Sequence, residues 1–330
     1  MSKGRFAPSP TGRMHLGNVV SALLSYLSAK KDGGKWLLRI EDLDPQRCKE
    51  EYARTLEEDL VRLGLEWDEG GMDADGGMYR QSRRGEIYAE ALERLSRLPA
   101  PEATARRQEA GEPQDPDDRQ AARLTYPCYC SRADLMAAGA PHESDGRVVY
   151  PGTCRNLAPE QRPSGKNPAI RIQVPDKDIA FTDGHYGRQV FNLARDCGDF
   201  ILRRADGIHA YQLAVVVDDA AMGVTQVVRG RDLLLSTAQQ IYLYDLLGLE
   251  APAFFHTPLI CARDGRRLCK RDKSTDLGEM LKTKSPVEII GIAAFCAGIL
   301  KKPEACSPAD LLKIYDPEAL PREDILLRTV

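Results

Sequence analysis

Three things are missing from this 330-residue chain, and each absence narrows what it can be. No run of about eighteen apolar residues occurs, so no membrane-spanning helix is expected. No basic and apolar leader opens the chain, so the expected location is the cytoplasm. Positive charge is not in excess either. The formal net charge is −3, so no overall basic character announces nucleic acid, although a local basic face would suffice. Aromatic residues are sparse at 6%, but the apolar (42%) and charged (29%) fractions are those of a globular protein with ample core. Cysteine is the exception to scarcity. Nine of them, an odd number without an export leader, argue for reduced thiols and for a metal.

The length suggests two domains, or one carrying a large insertion. The most informative stretch is the opening, Gly4 to Asn18 (GRFAPSPTGRMHLGN). An apolar strand enters a Pro/Gly turn, and the turn feeds a helix with Val19, Val20, Leu23, Leu24 and Leu27. Strand, tight turn and helix start are how an α/β domain offers backbone N–H groups to a phosphate. His15 sits at the turn, and Gly17 allows a ligand to approach the helix start closely.

Lys35–Ile40 reads as a second strand, ending in Glu41, Asp42 and Asp44 at the edge where open parallel sheets bind ligands. Helices are expected at Lys49–Leu63 and Arg84–Leu98. From Pro99 to Gln120 the apolar period disappears, and the segment reads as a mobile linker. Strands at Ala169–Val174, Ile179–Asp183 and Phe200–Arg204 look like an antiparallel cap. The α/β pattern then resumes with helix Tyr211–Met222, strand Thr225–Val228, helix Ser236–Leu247 and strand Phe254–His256. Beyond Asp276 short helices are expected, broken by Pro286, Pro303, Pro308 and Pro321.

Three constellations carry chemistry. Cys128, Cys130 and Cys154, with Tyr150 or His142 as a fourth ligand, suit a tetrahedral structural zinc site. Imidazole is the commoner partner, because a phenol must first lose a proton with a pKa of about 10. The segment Asp264–Ser274 holds five cations in eight residues, enough to stabilise charge on a transferring phosphate. Finally, Arg5, Arg229 and Glu41 fall at strand ends that a split sheet could bring together. Two guanidiniums and one carboxylate complement a ligand with two carboxylates and one ammonium, such as glutamate or aspartate.

Together these residues resemble the class I glutamyl-tRNA synthetase family. His15-Leu16-Gly17-Asn18 is similar to its HIGH signature, and Arg267-Leu268-Cys269-Lys270-Arg271 to its KMSKS signature. Residues 5–12 (RFAPSPTG), Arg39-Ile40-Glu41-Asp42 with Asp44, and Met222-Gly223-Val224-Thr225 with Val228-Arg229-Gly230 match the glutamate branch. Asn18 replaces the second His of HIGH, and Arg267 and Cys269 replace the first Lys and the Ser of KMSKS. Val215 stands where full-length enzymes tend to carry Asn. Only 59 residues follow Arg271, whereas a separate anticodon-reading domain needs on the order of a hundred, so none is expected. That length and the Cys-x-Cys…Tyr-x₃-Cys module resemble the short paralogues of the family. These activate glutamate and esterify it to queuosine in the anticodon of tRNA(Asp).

The resemblance implies an α/β fold: a Rossmann-like parallel sheet split by an insertion with a zinc module, plus a small helical C-terminal part. Residues 1–98 and 196–275 would form the two halves of the catalytic domain, the second with the KMSKS-like loop. Residues 99–123 would be linker, 124–195 the zinc module and acceptor-type insertion, and 276–330 the helical part. Glutamate would be held by Arg5, Ala7, Ser9, Glu41, Tyr211 and Arg229, and ATP by His15, Gly17, Asn18 and Lys270. His15, Gly17 and Lys270 would act on the phosphates; Mg²⁺ would accompany ATP, and Zn²⁺ would sit on Cys128, Cys130, Tyr150 and Cys154. The expected partners are glutamate, ATP and the queuosine-containing anticodon stem-loop of tRNA(Asp), with no membrane. The competing expectations are a truncated synthetase that charges a tRNA 3′ end, and a catalytically silent RNA-binding paralogue.

Overall fold

The computed structural model describes residues 2–31, 33–101, 123–131, 133–134, 149–261 and 275–326. Most of the linker, His142 and the basic segment with Lys270 therefore lie outside the described residues.

Five parallel strands form the central sheet: β1 (Lys3–Phe6), β2 (Lys35–Leu38), β3 (Glu69–Gly70), β9 (Gln226–Gly230) and β10 (Ala253–Thr257), ordered β10-β9-β1-β2-β3. The strand order reverses between β1 and β9, which opens a crevice beyond their carboxyl ends. Helix α1 (Leu16–Lys31) links β1 to β2, and α2 (Glu50–Arg62) precedes β3. The apolar face of α1 carries Val19, Leu23 and Leu27, all buried, in one core with Ile289, Ile290 and Ala293 of the late helix Pro286–Cys296. The opposite side of the sheet is covered by α3 (Gly85–Ser96), α4 (Tyr211–Ala221) and α5 (Leu234–Leu247), whose Tyr88, Leu213, Val216 and Leu243 share a second core with Val227 and Phe254.

Between the halves of this sheet lie β4 (Thr125–Cys128), β5 (Ala169–Ile172), β6 (Asp178–Asp183), β7 (Gly187–Asn192) and β8 (Phe200–Arg203). Strands β4-β5-β8 make an antiparallel sheet, and β6-β7 is a hairpin in full register from Asp178↔Asn192 to Asp183↔Gly187. The hairpin's second strand is not evident in the sequence, because Gly187, Arg188 and Gln189 dilute the apolar alternation to Val190 and Phe191. Pro286 and Pro308 start helices instead of breaking them. Each occupies the first turn, where its missing N–H costs nothing, behind Ser285 or Ser307 as cap.

Candidate active site

The turn after β1 runs alongside the residues that follow β2. Arg39 N–H donates to Phe6 O (3.0 Å) and Glu41 N–H to Pro8 O (2.9 Å), which sets Ala7, Pro8 and Ser9 beside Glu41. Ser9, Glu41 and Tyr211, the first residue of α4, line a cavity of about 440 Å³ with Asp44, Arg204 and His209. Ala7, just after β1, is half-buried.

Beneath this cavity lies a buried ionic network that joins the two halves of the sheet. The Arg39 guanidinium, fully buried, donates to Asp219 Oδ1 (2.6 Å) and Glu41 Oε1 (3.1 Å). Arg5 Nε stands 3.4 Å from the same Asp219 oxygen. The neighbouring Asp218 accepts from Arg84 Nε (2.6 Å), Gln81 Nε2 (2.8 Å) and the Tyr88 hydroxyl (2.9 Å). Burial raises the Glu41 pKa above the usual carboxylate range, against the pull of Arg39 and Arg5. Burial pushes Asp219 the same way, but Arg39 and Arg5 outweigh it and hold its pKa low.

Arg229, on β9, is the odd member. It is buried, yet no carboxylate lies within 4 Å of it among the described residues. Its Nε donates to His256 Nε2 (3.2 Å) and its Nη2 to Thr237 Oγ1 (2.6 Å), while Nη1 is buried without a hydrogen-bond partner. Burial accordingly lowers its pKa. A buried guanidinium with a spare edge is matched to a ligand carboxylate. Arg5, Glu41, Tyr211 and Arg229 form one electrostatic neighbourhood with Asp219.

At the start of α1 the His15 ring folds back on its own helix, and Nδ1 accepts from Gly17 N–H (3.1 Å). That bond places the ring proton on Nε2, leaving a donor on the far side. A Cβ at residue 17 would lie 2.9 Å from His15 Cε1, so only glycine leaves the imidazole its place. Asn18 Oδ1 accepts from His15 N–H (3.0 Å), fixing the turn from the other side.

The cysteine module gathers as the spacing suggests. The sulfurs of Cys128, Cys130 and Cys154 lie within 4.8 Å of one another, with Cys130 to Cys154 at 3.5 Å. A tetrahedral zinc with Zn–S of about 2.3 Å demands sulfur separations of about 3.8 Å, so the donor set fits. The Tyr150 hydroxyl stands 3.4 Å from Cys128 Sγ and 3.9 Å from Cys130 Sγ and accepts from Cys154 N–H at 2.9 Å. Arg171 supports the group from behind, donating through Nε to Cys128 Sγ (3.2 Å) with its guanidinium 3.8 Å over the Tyr150 ring. Despite burial, the Tyr150 hydroxyl and Arg171 bring the Cys128 thiol below its usual pKa; burial and Cys154 push Cys130 up to about 11.

Residues 2–98 and 121–290 match the family described as tRNA synthetases class I (E and Q), catalytic domain. Among curated relatives, a glutamyl-Q tRNA(Asp) synthetase of Symbiobacterium thermophilum is 46% identical, over 98% of this chain and 94% of its own length. One from Nitratidesulfovibrio vulgaris is 44% identical, over 99% and 95%. The chain belongs to the glutamyl-Q tRNA(Asp) synthetase family. Solved structures agree with that placement at a greater distance. A glutamate-tRNA synthetase from Elizabethkingia anophelis superposes with a TM-score of 0.77 at 27% identity, over 99% of this chain and 68% of that one. A glutamate tRNA ligase from Elizabethkingia meningosepticum, in complex with its amino acid, gives 0.76 at 27% identity, over 98% of this chain and 66% of that one. The chain thus spans about two-thirds of the length of these synthetases, but nearly all of the glutamyl-Q tRNA(Asp) synthetases it matches.

Two sequence departures acquire a physical setting in this glutamyl-Q tRNA(Asp) synthetase fold. Asn18 caps the turn through its side-chain oxygen. Val215 packs into the core between α4 and its neighbours, 1% exposed. The parts that sequence reasoning missed are the supports of the site: Arg39, Asp218 and Asp219 as an ionic network, and His256, Thr237 and Asp183 behind Arg229. The adjacent Asp218-Asp219 pair on an otherwise apolar helix was the available signal. Among the described residues no helix is long and apolar enough to cross a membrane.

Proposed function

We propose that the chain uses ATP to convert glutamate into glutamyl-adenylate without needing tRNA, and transfers the glutamyl group to the queuosine base in the anticodon of tRNA(Asp). The near full-length identity to two glutamyl-Q tRNA(Asp) synthetases carries this reading. The buried, carboxylate-free Arg229 beside Arg5 and Glu41 supports the choice of an acidic amino acid. In this reading Arg5 and Arg229 meet the carboxylates of glutamate, Glu41 its ammonium, and Ala7, Ser9 and Tyr211 complete its pocket. The Nε2–H of His15 and the backbone of Gly17 and Asn18 face the ATP phosphates. Lys270 stabilises the α-phosphate as the glutamate carboxylate displaces pyrophosphate. Orientation and fixed charge supply the acceleration, with no covalent enzyme intermediate. A hydroxyl of the queuosine cyclopentene diol then attacks the adenylate carbonyl and AMP leaves.

Mg²⁺ accompanies ATP and offsets phosphate charge. Zn²⁺ is held by Cys128, Cys130 and Cys154 with Tyr150 as fourth ligand, and it ties together a module too small for a core of its own. Residues 1–98 and 196–275 act as the two halves of the catalytic domain, 99–123 as linker, 124–195 as zinc module and insertion, and 276–330 as a helical C-terminal part. The protein works in the cytoplasm, where its tRNA is.

The test is transfer of labelled glutamate to queuosine-containing tRNA(Asp), beside the same tRNA without queuosine and a tRNA(Glu), with nuclease digestion to locate the label. Label on the anticodon of the modified tRNA(Asp) alone is the expected result. Label at the 3′ end of tRNA(Glu) would instead make the chain a truncated glutamyl-tRNA synthetase. No label and no glutamate-dependent pyrophosphate exchange would leave a silent RNA-binding paralogue.

A further inference from the structure

Arg229 owes its posture to groups that do not reach the cavity. His256 is its register partner on the adjacent strand β10, and the ring nitrogen Nε2 accepts from Arg229 Nε at 3.2 Å. For Nε2 to accept, the ring must be neutral with its proton on Nδ1. The structure supplies the reason: Nδ1 stands 2.6 Å from Asp183 Oδ2, and both side chains are fully buried. Asp183 is itself pinned, its Oδ1 accepting from the backbone N–H of His185 (3.0 Å) and Tyr186 (2.9 Å). Beside it, Thr237 Oγ1 lies 3.1 Å from the same His256 Nε2; it donates to Leu233 O (3.2 Å) and so is left to accept from Arg229 Nη2.

The Nε/Nη2 edge of the guanidinium is thereby fully used. What remains is the end edge, with Nη1 buried without a hydrogen-bond partner, Nη2 beside it and Tyr211 close by. That edge presents two parallel donors, the geometry that grips a carboxylate bidentately. Without His256 and Thr237 the guanidinium could rotate about its terminal bonds and lose that alignment.

We propose that His256, its tautomer fixed by Asp183, is a positioning residue for glutamate: with Thr237 it clamps one edge of Arg229 so that the other edge faces the substrate carboxylate. The proposal rests on the assignment of Arg229 to glutamate. It also gives the β6-β7 hairpin, which supplies Asp183, a share in amino-acid recognition.

Pyrophosphate exchange, run with and without tRNA, tests it through the separate KM values for glutamate and ATP. His256→Phe keeps a ring of similar size but no nitrogen, and loses a hydrogen bond to a charged group. The KM for glutamate is expected to rise tenfold or more, on the order of what such a bond contributes. The KM for ATP should stay within about twofold, because a ring aimed at Arg229 touches no phosphate. His256→Gln, whose amide oxygen can accept at the Nε2 position, should restore part of the loss. A glutamate KM that stays at the wild-type value in His256→Phe, or that rises in step with the ATP KM, would overturn the clamp. Thr237→Val gives the same reading should His256→Phe not fold: a raised glutamate KM supports the clamp and an unchanged one refutes it. Arg229→Ala separates the two levels. If it leaves the glutamate KM unchanged, both the assignment of Arg229 and the clamp fall; if it raises KM while His256→Phe and Thr237→Val do not, the clamp falls alone.

Discussion

Asp219→Asn probes the buried network directly. Asp219 is 2% exposed and accepts from Arg39 at 2.6 Å, with Arg5 at 3.4 Å. The substitution preserves shape and one acceptor oxygen but removes the charge that two buried guanidiniums face. At the effective dielectric that suits such sites, a charge pair about 4 Å apart is worth about 4 kcal/mol. Relief of the carboxylate's own desolvation offsets part of this, and breaking buried pairs costs about 3–5 kcal/mol in practice. The lower end applies here, because Arg39 keeps Glu41 (3.1 Å) and, at 3.7 Å from its Nε, Asp218. A loss of about 3 kcal/mol is therefore expected, a large part of the 5–15 kcal/mol that typically holds a domain together. Urea unfolding followed by far-UV circular dichroism measures it, with Glu50→Gln as the control. That change breaks only an exposed 2.8 Å pair with Arg54 and should leave the midpoint in place. A loss below about 1 kcal/mol in Asp219→Asn would refute the claim that this carboxylate neutralises Arg39 and Arg5.

Gly17→Ala puts a Cβ 2.9 Å from His15 Cε1; the imidazole must swing away, and pyrophosphate exchange should fall at least tenfold with the circular dichroism spectrum unchanged. Cys130→Ala should reduce bound zinc, measured by atomic emission, from about one per chain to a small fraction, because only two thiols of the cluster remain. His256 is buried neutral beside Arg229, Asp183 and Asp232, and burial lowers its pKa, so below the ordinary histidine value of about 6.5 the unfolded chain takes up a proton that the folded chain refuses. Stability is thus lost as pH falls from about 6.5, and His256→Gln should flatten that slope relative to wild type, with His209, also lowered by burial, contributing equally to both. Gly184→Ala places a Cβ 2.9 Å from the Phe255 ring and should cost about 1–3 kcal/mol of overpacking while raising the glutamate KM, whereas Gly85→Ala at the start of α3, with open space around it, should leave that KM alone.

Four strands of the sheet were readable because they are short apolar runs closed by chemistry-bearing residues; β3, two residues long and without an apolar side chain, was not. KWLL before Arg39-Ile40-Glu41 and the strand before Arg229 both declare themselves in this way. Helices α2 and α3 were readable from their amphipathic period, to within a residue or two at each end. The hairpin strand β7 was not, since a two-stranded ribbon with one solvent face needs few apolar residues. Among the candidate site residues, those facing the cavity carry sequence signatures, because a ligand constrains residue type at each point of contact. Their supports do not. His256 and Asp183 are 73 positions apart, and nothing in either local sequence says that one orients the other. Such pairs become visible only when the topology brings β6 against β10.

That juxtaposition changes how the inserted segment should be understood. Gly184 N–H donates to Phe254 O at 2.8 Å, which holds the hairpin against β10 and leaves no room for a larger residue. Asp183, next to it, accepts from both the backbone and the ring of His256. At the other end of the insertion, Asp199 accepts from Tyr126 Oη (2.5 Å), Arg155 Nη2 (2.8 Å) and Val174 N (2.9 Å), binding the cysteine module to the antiparallel sheet. The Tyr242 hydroxyl of α5 then donates to Gln173 O (2.9 Å), tying that sheet to the parallel one. These contacts are buried and directional, so displacing the insertion would strand a histidine, a carboxylate and a tyrosine hydroxyl without partners. An insertion attached in this way cannot serve only as a separate platform. Its hairpin is part of the wall that orients Arg229, and an enzyme stripped of it would lose its hold on the amino acid before it lost its nucleotide turn.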